Sequence, residues 1–158
     1  MSPRARRTAL LALAATVIAV VAVLVRESMD RAERQRQSDW GRALFHGEES
    51  PSQPPVAGRL AGHPTSLPVA ATRCVNCHAA TAAANAVGTP VQGGALQRLT
   101  PRRGGPPSAY DAASLCRLLR DGIDPADVLI DQTMPRYQVD DAQCAALWAW
   151  LTRPITGS

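Results

Sequence analysis

Five consecutive residues constrain this chain more than any other feature: Cys74-Val75-Asn76-Cys77-His78. Two thiols three positions apart, with an imidazole directly after the second, form the attachment pattern of a c-type haem. The spacing has a chemical reason. Each thiol can add across a vinyl group of the same porphyrin, and the adjacent imidazole then lies under the iron on its proximal side. Two other uses of a CxxC pair stand beside this one. Structural zinc needs four ligands, and the remaining cysteines, Cys116 and Cys144, do not form a second paired knuckle. A thiol–disulfide centre belongs at a helix start after a strand, and no alternating strand pattern is evident. A covalent haem also supplies core volume that the side chains lack, since aromatic residues make up 4% of the 158 residues.

An iron with six ligands needs a second axial group. Met134 is the candidate, 56 residues after His78 and followed by Pro135. Proline restricts the residue before it to extended geometry and stiffens a loop that must hold a weak thioether bond. Thioether ligation favours ferrous iron and raises the reduction potential relative to two histidines. The alternatives are His46 or His63 as the distal ligand, or Met134 as gap-filling core.

Net charge is +4, all of its basic side chains are arginine, and the charge is uneven. Residues 1–47 carry eight Arg against four acids, whereas residues 104–158 carry four against seven. The basic excess is therefore N-terminal, and a nucleic-acid partner is not expected. Arg4, Arg6 and Arg7 precede an apolar run, Ala9 to Val25, whose only polar member is Thr16. This pattern predicts an N-terminal transmembrane helix over residues 1–25, with the following chain exported. A cleaved signal and a buried core helix are the other readings. Residues 26–39 read as a polar helical stalk with Glu27–Arg31 and Asp30–Arg34 at ion-pairing distance along the helix.

Trp40 to Glu49 reads as a short amphipathic helix with Leu44 and Phe45 inward. Five prolines between residues 50 and 68, Pro51 first, make regular structure improbable there. Thr81 to Pro107 reads as loop. Tyr110 to Asp121 reads as helix, capped by Ser108 or Asp111 and stopped by Gly122. A last helix starts at Asp140, which has capping-box spacing to Gln143, and ends before Pro154. Ala112, Cys116, Leu119 and Ile123 form one apolar stripe, and Cys144, Leu147, Trp148 and Leu151 another. Cys116 and Cys144 are candidates for a disulfide or for two buried thiols. Arg102 and Arg103 are candidates for pairing with haem propionates, or are simply exposed charge. Tyr110, Tyr137 and Trp148 are further hydrogen-bonding candidates. The acids Asp121, Asp124, Asp127, Asp131, Asp140 and Asp141 read as a capping set or as a docking surface for a basic redox partner.

Cys74–His78, then Met134-Pro135-Arg136-Tyr137, then an amphipathic C-terminal helix resemble a class I monohaem cytochrome c, from about Pro68 to Leu151. The resemblance implies an all-α fold around one covalent haem c, with His78 and Met134 on the iron. It implies an electron carrier rather than an enzyme, exchanging electrons with a dehydrogenase, a quinol-oxidising complex or a terminal oxidase. A haem relay within a larger oxidoreductase, or a catalytic or sensory haem protein with an open distal site, are the alternatives. Such proteins carry a glycine and an aromatic residue on a helix shortly before the first haem cysteine. Gly41 and Phe45 fit, although about thirty residues separate Phe45 from Cys74. Residues 102–111 resemble a subgroup of bacterial membrane-anchored c-type cytochromes. The expected organisation is a transmembrane anchor (1–25), a stalk and Pro-rich linker (26–67), a cytochrome domain (68–153) and a tail (154–158). The expected location is a bacterial inner membrane, crossed once, with the haem domain in the periplasm.

Overall fold

Between Pro3 and Gly41 the chain has neither proline nor glycine, so nothing in the polar stretch after Val25 breaks a helix. In the computed structural model, which describes residues 3–49, 54–78 and 88–154 (4–12 as backbone only), helix α1 runs over Pro3–His46. Pro3 occupies the first helical position, where its missing N–H costs nothing. Gly47, with φ of 64°, ends the helix and donates its N–H to Leu44 O at 3.1 Å. The expected anchor, stalk and short amphipathic helix are thus one element.

Contacts divide the chain into two units, Met1–Arg36 and Gln37–Ser158. In the first, Leu13, Val17, Ile18 and Val25 are exposed. Exposed ion pairs join Arg31 to Glu27 at 2.9 Å and Arg36 to Glu33; such pairs are worth a few tenths of a kcal/mol. The expected transmembrane helix is corrected: among the described residues no helix is long and apolar enough to cross a membrane. Among the residues described with their side chains the uncharged stretch is Leu13 to Val25, which rises roughly 20 Å against a hydrocarbon core of about 30 Å before Arg26 and Glu27.

In the second unit, α2 spans Val69–Thr72, a 3-10 turn spans Cys74–Asn76, α3 spans Ala112–Asp121 and α4 spans Asp141–Leu151. Asp111 caps α3 in a reciprocal box with Ser114, and Gly122 closes it with φ of 75°. Asp140 caps α4 in the same way with Gln143. Four two-residue strands pair antiparallel: β1 (Gly58–Arg59) with β4 (Arg136–Tyr137), and β2 (Thr100–Pro101) with β3 (Pro107–Ser108). Strands this short carry no alternation that a sequence could display.

The expectation of an all-α, class I cytochrome c-like domain behind a separate anchor is therefore corrected. The unit is helical with two small antiparallel ladders, and among the described residues no group of three or more His, Cys, Asp or Glu side chains gathers to hold a metal ion. The boundary also moves. Residues 37–46 and 54–67, read as stalk and linker, belong to the second unit, where β1 pairs with β4 and Leu44 and Phe45 are buried. Pro51, the 81–87 part of the expected loop, and 155–158 of the tail lie outside the described residues.

The core is formed by the end of α1, α3 and α4. At Gly41 the α1 backbone approaches α4 so closely that a Cβ would overlap the Ala146 carbonyl, and Ala146 is fully buried. Trp150 is buried on α4 where the apolar stripe pointed to Trp148, which is half-buried. Cys116 and Cys144 form a disulfide joining α3 to α4, both cysteines being buried. Closing a loop over a sequence separation of 28 restricts the unfolded chain by about 3.5 kcal/mol in the chain-entropy picture.

Candidate cofactor site

The Cys74–His78 segment is a single helical turn. Cys77 N–H donates to Cys74 O at 3.2 Å and His78 N–H to the same oxygen at 2.9 Å. Asn76 Nδ2 ties the turn back to Ala70 O at 2.9 Å. Residues three and four apart on such a turn share a face, so both thiols and the imidazole are presented together.

His78 Nδ1 lies 2.8 Å from the Thr89 carbonyl oxygen. A carbonyl only accepts, so Nδ1 carries a proton, and in the neutral ring the lone pair is then on Nε2, the tautomer a metal-ligating histidine needs. Gly88 makes this contact possible. A Cβ there would lie 2.6 Å from His78 Nδ1, and its N–H bonds Cys77 O at 3.0 Å.

These residues face a cavity of about 730 Å³, within the ~300–1,000 Å³ of cofactor sites. Cys74, His78 and Met134 line it, together with Phe45 from α1, Leu115, Leu118 and Leu119 from α3, and Leu147 and Leu151 from α4. A second cavity of about 270 Å³ shares Cys74, His78, Thr89, Arg103 and Met134 and adds Cys77 and Tyr137. The five shared residues make the two cavities adjoining lobes along one wall. The structure thus brings Cys74, Cys77, His78 and Met134 around a common volume. His46 and His63 line neither lobe.

Burial pushes the Cys74 thiol up to about 11, and burial together with Cys74 raises the Tyr137 hydroxyl. An exchanging thiol reacts as the thiolate, which this environment disfavours. A bare ion would need the side-chain cluster that is missing among the described residues. A haem brings four nitrogen ligands of its own and asks the protein for two at most. The residues present fit that demand.

Comparison with protein-family models, with curated proteins and with solved structures finds no match.

Arg102 and Arg103 both line the larger lobe. Arg102 Nη2 lies within bonding distance of the carbonyls of Ala95, Leu96 and Arg98, the last at 3.0 Å, and its guanidinium sits 5.1 Å from the Tyr110 ring centre. It organises its own loop while its buried Nε has no hydrogen-bond acceptor among the described residues. Arg103, with φ of 48°, reaches Asp124 Oδ2 at 3.5 Å. Burial raises the Tyr110 hydroxyl, opposed by Arg103.

Tyr137, a candidate propionate contact, donates its hydroxyl to Thr72 O at 2.7 Å, a buried bond. Trp148 lines neither lobe. Asp124 is corrected as a member of an exposed acidic surface. It is fully buried and accepts from the N–H groups of Ala126 and Val128 at 2.9 Å each. Sequence reading missed Thr89, because a backbone carbonyl leaves no mark in a sequence. It also missed Gly88, whose signal was a lone glycine before Thr-Pro.

Proposed function

We propose that this chain carries one haem c, joined by thioethers to Cys74 and Cys77, with His78 and Met134 as the axial residues, and that it serves as a one-electron carrier. The observation that carries this reading is the His78 imidazole, held through Nδ1 by the Thr89 carbonyl, in the smaller cavity that Met134, Cys74 and Cys77 also line. When bound, such a group supplies a ferric–ferrous couple. The chain's own contribution is to hold the two axial side chains, to exclude water with leucines from α3 and α4, and to place Arg102 and Arg103 where carboxylates of the group can be matched. No substrate bond is made or broken, so the chain is a carrier and not an enzyme by itself. Its partners are proteins that give or take single electrons. The Cys116–Cys144 disulfide supports an oxidising compartment outside the cytoplasm.

A spectroelectrochemical titration of the exported protein tests the reading. The expected result is a reversible absorbance change following a single one-electron curve. A chain with no redox-linked visible absorbance, or one that titrates as a two-electron thiol couple, would overturn it.

A further inference from the structure

Arg136 is buried, at 5% exposure, in the strand that follows Met134-Pro135. Its guanidinium forks between two backbone carbonyls of one loop: Nη1 donates to Met134 O at 2.7 Å and Nη2 to Ile130 O at 3.2 Å. It lies on Gly122, where a Cβ would overlap it, and Gly122 O in turn accepts the Ile130 N–H at 2.8 Å. Within the loop, Met134 N–H reaches Asp131 O at 3.3 Å, and the Asp131 carboxylate accepts Thr133 N–H at 2.8 Å. Beyond Arg136, the β4 ladder to β1 anchors the exit.

A charge held by carbonyls is costly to bury. The loop therefore keeps an expensive group for what its geometry does. A planar fork fixes two carbonyls at once, which a single ammonium cannot do. One of those carbonyls belongs to Met134 itself.

We propose that Arg136 is the positioning residue for the distal ligand: by clamping the Met134 and Ile130 carbonyls against Gly122 it holds the Met134 thioether in the cavity. This rests on the haem reading above. The thioether–iron bond is weak, so a loosened loop would spend a larger fraction of time with the distal position open.

The test uses the full exported chain with its group attached, as wild type, Arg136→Lys and Arg136→Leu. Three readouts apply: covalent haem by staining, the weak near-infrared band of ferric thioether-ligated haem, and carbon monoxide affinity of the ferrous form. All three proteins should stain. Arg136→Leu should lose the band and bind carbon monoxide ~10-fold or more tightly, because apparent affinity scales with the open fraction. Arg136→Lys, which keeps the charge but reaches one carbonyl, should fall between. An Arg136→Leu protein with wild-type band and affinity overturns the inference alone. Should that variant fail to accumulate, an Arg136→Lys protein indistinguishable from wild type does the same. A stained wild type without the band overturns the Met134 assignment and this inference together.

Discussion

On the proposed haem c reading, replacing Met134 with alanine will abolish the near-infrared signature of the ferric protein, lower its reduction potential, and open the ferrous form to carbon monoxide, while covalent haem remains. Met134 lines both lobes of the cavity and packs on the core from the loop between α3 and α4. Cys74, Cys77 and His78 belong to a separate turn, closed by its own hydrogen bonds, so attachment does not depend on the thioether. Thioether ligation favours ferrous iron, and its loss lowers the potential. Because Met134 is only partly buried, truncation should cost stability by about 1–2 kcal/mol, below the range of fully buried sites. Optical spectra of both oxidation states check the outcome. Unchanged spectra in the alanine variant would remove Met134 from the iron.

Gly41→Ala should destabilise the second unit by about 2–4 kcal/mol, although helix propensity alone favours alanine over glycine by ~1 kcal/mol. The two effects have opposite signs, and geometry decides between them. The new Cβ would overlap the Ala146 carbonyl of α4 and lie 2.8 Å from Trp150 Cβ. A backbone carbonyl inside a helix cannot swing aside as a flexible side chain can. Relief therefore requires the end of α1 to move off α4, which would loosen Phe45, a lining residue of the cavity. Denaturant unfolding followed by circular dichroism measures the change. A midpoint equal to or above that of the wild type would show that the close crossing contributes nothing.

The parts of this molecule legible in the sequence are those whose chemistry is local. The caps at Asp111 and Asp140 and the stop at Gly122 follow from side chains bonding their own backbone within a few residues. The CxxCH turn is legible for the same reason. The single α1 was not, because a change from apolar to polar composition looks like a boundary, whereas a helix continues through such a change where no helix breaker intervenes, and α1 runs on even through Gly41. The β1–β4 and β2–β3 ladders were invisible, since two-residue strands are set by tertiary proximity and not by pattern. Asp124 looked like a surface charge, and nothing marked Arg136 as buried, because composition cannot distinguish a solvated ion from one held by backbone groups. Their neighbours Gly122, Ala126 and Val128 supply the space and the N–H groups that bury them. Thr89 shows the limit most plainly. Its contribution to His78 is a carbonyl oxygen, which every residue has.

Whether two thioethers join a tetrapyrrole to this polypeptide is open to one direct measurement: the intact mass of the mature protein after export, under denaturing conditions. The account predicts the polypeptide mass plus one haem, retained on unfolding and lost when Cys74 and Cys77 are both replaced by serine. A mature chain at the bare polypeptide mass, with Cys74 and Cys77 free or bonded to each other, would contradict it.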